Sequence, residues 1–155
     1  MTGRFLPTAG SEGSRMPHPR VVLDTNVAVS AHLKEDGLER FVLDLVLNRK
    51  LHLFLSAEIL EEYRNVLARE KFNIHPEKVA ASLHLIERAS TKVRPKRKVT
   101  AAKDPGDNKF LECAAEAQAD YLVTGNKKHF PKQWEKTRIV NARELLQATA
   151  PDLKR

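Results

Sequence analysis

The chain has 155 residues, of which 41% are apolar and 30% charged, so it suits one globular domain with a substantial core. No apolar stretch approaches the roughly 20 residues of a membrane-spanning helix, and the single cysteine, Cys113, excludes an internal disulfide and fits a reducing, cytoplasmic setting. The formal net charge of +7 favours a polyanionic partner such as nucleic acid.

The first 19 residues are rich in Gly, Pro, Ser and Arg and lack the apolar middle of a secretory signal. We therefore expect a disordered leader over residues 1–19, with translation starting at Met1 or Met16. A single domain over residues 20–150 and a flexible tail over residues 151–155 are expected to follow.

Predicted strands and helices alternate along this domain. Apolar runs predict strands over 20–24, 51–56, 91–93, 120–125 and 137–140. Helical spacing of apolar residues predicts helices over 37–50, 57–70, 104–119 and 141–150, and another that begins at Pro76. The segment 126–136 is expected to be a loop. This order predicts an α/β fold with a parallel sheet covered on both faces.

Two helices carry recognisable start signals. Ser56 precedes the second predicted helix as an N-cap. Asn141 and Glu144, three residues apart, resemble a capping box at the start of the last one.

Polar residues follow two of the predicted strands. Asp24 ends the first strand, and Asn126 follows the strand "YLVTG". Since open α/β sheets bind ligands beyond the carboxyl ends of their strands, both side chains are expected on one edge of the sheet. An Asp-Thr-Asn sequence also starts turns and helices, so a local structural role for Asp24 is the alternative.

Periodicity selects one acid on the helix "EILEEYRNVL". With about 100° per residue, Glu62 lies about 100° from the centre of the apolar stripe, Glu58 about 140° and Glu61 about 160°. Glu62 is therefore the candidate nearest the buried face, with Glu58 as its substitute.

The segment "DPGDNKFLECAAEAQ" places a second acid inward. Asp107 falls about 20° from the centre of the apolar stripe, at the start of the helix, whereas Asp104 precedes Pro105 in a turn. Asp107 could also cap free N–H groups, and capping is compatible with a second role.

Three acids at one edge would repel each other, by roughly 4 kcal/mol per pair at about 4 Å and moderate dielectric. Proteins relieve such repulsion by protonating a carboxylate or by binding a cation. Oxygen ligands suit Mg²⁺ or Mn²⁺, which can bridge to a phosphate and activate a nucleophilic water.

With these residues placed, the sequence resembles the PIN-domain family, in particular toxins of bacterial toxin–antitoxin pairs akin to VapC-type ribonucleases. The resemblance spans about residues 20–145 and rests on "VVLDTNVAVSA", "LSAEILEEYRNVL", "DPGDNKFLECAAEAQADYLVTGNKKHF" and their order. It implies a three-layer α/β/α sandwich with a central parallel sheet. It also implies a Mg²⁺- or Mn²⁺-dependent nuclease that cuts single-stranded RNA or structured RNA loops. In-line attack by a metal-activated water is expected to leave a 5′-phosphate and a 3′-hydroxyl.

The resemblance also implies roles for individual residues. The family's first three acids match Asp24, Glu62 and Asp107, which would bind the metal ion with Asp104 as a companion. The fourth acid usually sits in "TGD", whereas this chain has "TGN".

Asn126 therefore replaces an aspartate and brings no charge, which favours one metal ion over two. Its amide could still bind a metal-bound water, and the resemblance implies that Thr124 orients water or phosphate.

Two basic segments flank these positions in the sequence and could grip phosphates. Such contacts would set affinity and salt dependence rather than sequence preference, and solvated loops are the structural alternative. The residues are Lys92, Arg94, Lys96, Arg97 and Lys98 in the first segment, and Lys127, Lys128 and His129 in the second.

Two other functions compete with the nuclease. A PIN-like RNA-binding module weakened by Asn126 would bind without turnover. A haloacid-dehalogenase-type phosphatase would use Asp24 as nucleophile, but it requires Asp-x-Asp where this chain has "DTN". A dinucleotide binder is disfavoured because no GxGxxG follows the first strand.

The resemblance further implies partners. RNA is the expected substrate, a cognate antitoxin the expected protein partner, and a homodimer the expected assembly. No membrane association is expected.

Overall fold

The structure is a computed structural model that describes residues 18–153 of the chain. The predicted disordered leader falls mostly on residues 1–17, and the predicted tail ends at residues 154 and 155, all outside the described residues. The last helix continues to Leu153, so the expected tail begins inside a helix. None of the helices within residues 18–153 combines the length and apolar composition needed to cross a membrane.

Strands and helices alternate along the described chain. The strands are β1 Arg20–Leu23, β2 His52–Leu55, β3 Ser90–Lys92, β4 Tyr121–Val123, β5 Gln133–Trp134 and β6 Thr137–Val140. The helices are α1 Thr25–Leu33, α2 Leu38–Leu47, α3 Ala57–Leu67, α4 Pro76–Ala89, α5 Asn108–Ala117 and α6 Ala142–Leu153. Short 3₁₀ helices cover Glu70–Phe72, Pro105–Asp107 and Lys127–His129.

The strands form one six-stranded sheet in the order β3-β2-β1-β4-β6-β5. All neighbouring pairs are parallel except β5 with β6, which is antiparallel. Helices pack on the sheet, α5 against β1, β2 and β4, and α6 against β4 and β6. The predicted α/β fold with a central parallel sheet is confirmed, with one antiparallel strand at its edge.

The prediction of a plain loop over residues 126–136 was wrong. This segment contains a 3₁₀ helix and β5, a strand of two residues at the sheet edge. So short a strand leaves no alternating pattern of apolar and polar residues in the sequence.

Helix α1 was also absent from the sequence prediction. Its buried residues are Thr25, Val27, Ala28, Val29 and Ala31. Since these positions surround most of the helix, it shows no amphipathic period, and only its position directly after Asp24 marks its start.

The predicted helix starts are confirmed. The Ser56 hydroxyl accepts a hydrogen bond of 3.3 Å from the Ile59 N–H, and Pro76 is the first residue of α4. The Asn141 N–H donates to Glu144 Oε1 over 2.9 Å, and the Glu144 N–H donates to Asn141 Oδ1 over 2.8 Å. This reciprocal pair is a capping box, which fixes α6 against the end of β6.

A buried hydrogen bond fixes α3 against the end of β1. The Tyr63 side chain is fully enclosed at 1% exposure, and its hydroxyl donates to the Leu23 carbonyl over 2.5 Å. Leu23 precedes Asp24, and Tyr63 follows Glu62. The bond therefore sets the position of α3 next to the polar end of β1.

We expect Tyr63→Phe to lower the free energy of unfolding by about 1–2 kcal/mol, because it removes the donor to a buried carbonyl. Urea denaturation followed by circular dichroism measures this change. Tyr121→Phe is the matched control, since no hydrogen bond of the Tyr121 hydroxyl is described within residues 18–153, and it should change stability by about 0.5 kcal/mol or less. Equal effects of the two substitutions would contradict the role given to Tyr63.

Candidate active site

Asp24 lies at the carboxyl end of β1, at the N-cap position of α1, yet its side chain makes no capping hydrogen bond. One carboxylate oxygen instead accepts a hydrogen bond of 2.7 Å from the Thr124 hydroxyl, just beyond the neighbouring strand β4. Asp24 is 7% exposed and Thr124 is fully buried. The side chain therefore points along the sheet edge toward β4. A local contact remains, since a backbone hydrogen bond from Thr25 also acts on the pKa of Asp24.

Thr124 also organises the turn that follows β4. Its hydroxyl oxygen accepts a hydrogen bond of 2.9 Å from the Asn126 N–H. The Gly125 N–H donates to the side-chain oxygen of Asn26, 3.3 Å away on α1. These contacts bring Asp24, Thr124 and Asn126 to the same edge of the sheet, where the sequence predicted Asp24 and Asn126 to lie.

Burial is the largest influence on the Asp24 carboxyl and raises its pKa above the usual value. The hydrogen bond from Thr124 opposes this rise, whereas the charges of Asp107 and Glu62 add to it. The three acids therefore lie close enough to act on one another electrostatically.

Glu62 points from α3 toward this edge. Its Oε2 accepts a hydrogen bond from the Thr25 hydroxyl, and its Oε1 lies 2.6 Å from the Lys109 ammonium. The adjacent Glu61 instead pairs with Arg64 over 2.8 Å on the surface. The orientation given by periodicity to these two glutamates is confirmed.

Asp107 ends the 3₁₀ helix Pro105–Asp107 and occupies the N-cap position of α5, but its side chain makes no capping hydrogen bond. Burial raises the pKa of this carboxyl, the Asp104 and Glu62 charges add to the rise, and His129 and Lys109 oppose it. His129 Nδ1 lies 3.6 Å from Asp107 Oδ2. Like Asp24, Asp107 therefore lies at the start of a helix without capping it through its side chain.

Asp104 has a different setting. Its Oδ1 accepts a hydrogen bond of 2.9 Å from the Gly106 N–H, which closes the turn ahead of Asp107. The side chain is exposed. Asp104 acts on Asp107 through its charge, and its own carboxylate caps the turn that the sequence predicted.

The sequence model of the PIN domain matches residues 20–128, a span that contains Asp24, Glu62, Asp107 and Asn126. The chain belongs to the PIN-domain family. Among curated proteins it is similar to the uncharacterized protein MJ1680 of Methanocaldococcus jannaschii, with 29% identity over 111 residues, covering 70% of this chain and 71% of that protein.

Among solved structures the fold resembles a chain in the crystal structure of VapBC2 from Rickettsia felis bound to a DNA fragment from their promoter. The TM-score is 0.56, the identity 18%, and the match covers 79% of this chain and 98% of that one. The likeness shows a shared fold.

The acids of this PIN domain fit a hard divalent cation by their chemistry. Asp24, Glu62 and Asp107 offer carboxylate oxygens. Burial raises the pKa of Asp24, and the charges of Asp107 and Glu62 add to that rise. Within residues 18–153, no three His, Cys, Asp or Glu side chains lie close enough together to hold a metal ion as they stand. Closer approach of these carboxylates requires additional positive charge, because they repel one another.

Sequence analysis missed three residues that shape this PIN site. Thr25 and Lys109 hold the two oxygens of Glu62, and Asn26 holds the turn after β4. Thr25 and Asn26 directly follow Asp24, and the sequence "DTN" indicated only the start of a turn or helix. For Lys109 the sequence contains no such signal, since an isolated lysine on a helix is most often exposed.

Several residues of the two basic segments are engaged in ion pairs. Lys92 pairs with Glu87 over 3.4 Å, Arg97 with Glu135, and Lys127 with Glu144 over 2.9 Å. The Lys103 backbone N–H donates to the His129 carbonyl over 3.1 Å. This bond joins the segment before Asp104 to the 3₁₀ helix Lys127–His129. His129 is therefore the member of the basic segments that reaches the site, and phosphate binding by the others stays a prediction.

Proposed function

We propose that this PIN-domain protein is a Mg²⁺- or Mn²⁺-dependent endoribonuclease. The observation that carries the proposal is a set of contacts that links the parts of the chain bearing three acids: the Asp24 carboxylate accepts from Thr124, and Glu62 contacts Thr25, next to Asp24, and Lys109, two residues after Asp107. Asp24 comes from the end of β1, Glu62 from α3 and Asp107 from the start of α5; burial raises the pKa of Asp24, and the charges of Asp107 and Glu62 add to that rise. Acids kept close at such a cost are typical of functional sites.

Asp24, Glu62 and Asp107 would hold the cation, with Asp104 nearby. When bound, a divalent cation lowers the pKa of a water and neutralises charge on the phosphodiester. The hydrogen bond from Thr124 keeps the Asp24 carboxylate oriented toward the site and favours its ionised form. In-line attack of water on phosphorus would then leave a 5′-phosphate and a 3′-hydroxyl.

Thr124 and Asn126 would position water or phosphate. The Thr124 hydroxyl already joins the Asp24 carboxylate to the Asn126 backbone, so a shift of either residue moves the other. Asn126 offers an uncharged amide at the end of β4, where it can bind water without adding to the repulsion among the acids.

The same asparagine supports the second candidate, an RNA-binding PIN domain without turnover. Asparagine at position 126, where the family usually has aspartate, removes a negative charge and so weakens cation binding. The next three residues in the sequence, Lys127, Lys128 and His129, are basic and could bind RNA. Belonging to the PIN-domain family disfavours the haloacid-dehalogenase-type phosphatase.

We also propose that the protein acts in the cytoplasm as the toxin of a toxin–antitoxin pair. The support is the similar fold of a chain from the VapBC2 structure. An antitoxin would inhibit by covering the acidic edge of the sheet. A homodimer stays a prediction from the family resemblance.

A cleavage assay tests the nuclease. We expect the full chain to cut 5′-labelled single-stranded RNA in the presence of Mn²⁺ or Mg²⁺, to stop after addition of EDTA, and to recover with excess Mn²⁺. New 5′ ends should carry a phosphate that a phosphatase removes. RNA binding without cleavage at any Mn²⁺ concentration would favour the binding module, and cleavage that persists in EDTA would contradict metal dependence.

A further inference from the structure

Lys109 places a nearly enclosed ammonium among the acids. Its side chain is 10% exposed, and its Nζ lies 2.6 Å from Glu62 Oε1. The same ammonium donates to the Gly106 carbonyl in the turn before α5. An enclosed lysine without a carboxylate partner would be costly, so Glu62 and Lys109 stabilise each other within the site.

Glu62 is held on both sides of its carboxylate. The Thr25 hydroxyl donates to Oε2, and Lys109 approaches Oε1. The charge of Glu62 is thus balanced by a residue of the protein. Lys109 also lowers the pKa of Asp107, so its field reaches a second acid.

The charges of the site then match a single divalent cation. Asp24, Glu62 and Asp107 bring three negative charges when ionised, Lys109 brings one positive charge, and Asn126 brings none. Asp104 is left out of this sum because its exposed carboxylate accepts a hydrogen bond from the Gly106 N–H in the turn before α5. The two net negative charges that remain among the three acids and Lys109 equal the charge of one Mg²⁺ or Mn²⁺. A second divalent ion would be repelled by the ammonium.

Lys109 also has capacity to contact a ligand. An ammonium group has three N–H donors, and within residues 18–153 its described acceptors are Glu62 and Gly106. Lys109 and Glu62 line an open groove of about 830 Å³ that runs along α3 past Asn65 and Arg69. The third N–H can therefore reach a phosphate oxygen of a strand lying in this groove.

We propose that Lys109 is the second positive charge of this active site: its ammonium takes the place of a second divalent ion and binds a phosphate oxygen of the RNA. The inference rests on the proposed ribonuclease activity for the phosphate contact. It goes beyond that activity in assigning a catalytic residue and in fixing the number of metal ions at one.

A purely structural salt bridge would behave differently. Loss of a structural pair would lower the melting temperature and leave the affinity of the folded protein for Mn²⁺ unchanged. Loss of a resident cation would raise the affinity for Mn²⁺, because the ion no longer meets a like charge. The affinity of the folded protein for Mn²⁺ therefore separates the two roles.

The test is a Mn²⁺ titration of the full chain by isothermal calorimetry, with bound Mn²⁺ counted by electron paramagnetic resonance. We expect one ion in the wild-type protein. Lys109→Met should bind Mn²⁺ about tenfold more tightly or take a second ion, and should cut RNA about a hundredfold more slowly. Lys109→Arg keeps the charge and should bind Mn²⁺ as the wild type does.

Lys78→Met is the matched control, because it removes an exposed lysine from α4 and should leave both readouts unchanged. Lys109→Gln carries the same expectations as Lys109→Met and replaces it if the methionine variant fails to fold. Unchanged Mn²⁺ binding in the folded uncharged variants, or RNA cleavage at the wild-type rate, overturns the proposal. Two Mn²⁺ ions in the wild-type protein do so as well.

The Mn²⁺ titration does not require RNA cleavage. A wild-type protein that binds one Mn²⁺ but cuts no RNA contradicts the proposed function, while tighter Mn²⁺ binding by Lys109→Met would still support the resident charge. Cleavage by the wild type with unchanged Mn²⁺ affinity in Lys109→Met contradicts the inference alone.

Discussion

Asp24→Asn is expected to reduce the rate of RNA cleavage by about a hundredfold to a thousandfold while the protein stays folded. Asparagine keeps an oxygen that can accept the hydrogen bond from Thr124, so the geometry at the end of β1 is preserved. The substitution removes one negative charge from a site where burial already disfavours ionisation. Cleavage is lost because the remaining charge no longer attracts a divalent cation strongly enough.

Initial rates on a single-stranded RNA, at the Mn²⁺ concentration that just saturates the wild-type protein, measure this loss, and circular dichroism checks the fold. Asp44→Asn is the matched control, because it removes the carboxylate that pairs with Arg40 over 3.1 Å on the surface of α2. The control should cut at the wild-type rate. Wild-type cleavage by Asp24→Asn would remove Asp24 from the mechanism, and equal losses in both variants would indicate damage unrelated to the site.

The positions of the acids could be predicted because each follows a strong local pattern. Asp24 ends an apolar run, and helical periodicity distinguishes Glu62 from its neighbour Glu61. Asp107 lies near the centre of an apolar stripe, where a charged residue is unusual. Parallel strands then bring their carboxyl ends to one edge, so the placement of Asp24 and Asn126 at one edge follows from the fold class.

Lys109 could not be predicted from the same patterns. On the helical projection it lies about 140° from the centre of the apolar stripe of α5, which indicates solvent. The structure shows a side chain that is 10% exposed and pairs with Glu62 on α3. A long, flexible stem lets a lysine leave its own helix face, and only the packing of α3 beside α5 supplies the acceptor.

Mn²⁺ is expected to stabilise the wild-type protein against heat. At a free concentration of about 100 times the dissociation constant, a ligand of the folded state adds about 2.7 kcal/mol, or roughly 5–10 °C in melting temperature for a domain of this size. The gain has a specific source here. Burial and neighbouring negative charge raise the pKa values of Asp24 and Asp107, and a bound cation compensates both effects.

The way in which the stability of the metal-free protein depends on pH follows from the direction of the pKa shifts of Asp24 and Asp107. The folded-state pKa values of Asp24 and Asp107 lie above the ordinary value of 3.8, so the folded protein without metal binds more protons than the unfolded chain. The contribution of these groups to stability is therefore present at low pH and is lost as the pH rises from 3.8 through the raised values. The shift in melting temperature caused by Mn²⁺ should accordingly be larger at pH 7 than at pH 5.

Differential scanning calorimetry with Mn²⁺ or with EDTA measures the shift, and Asp24→Asn provides the decisive comparison. Without metal, this variant should melt at or above the wild-type temperature, because a buried charge has been removed from a fold that gains nothing from it. With Mn²⁺, its melting temperature should rise much less than that of the wild type. An equal rise in both proteins would show that Mn²⁺ binds elsewhere on the molecule. If Mn²⁺ does not raise the melting temperature of the wild-type protein, these carboxylates do not bind the cation that the proposed nuclease requires.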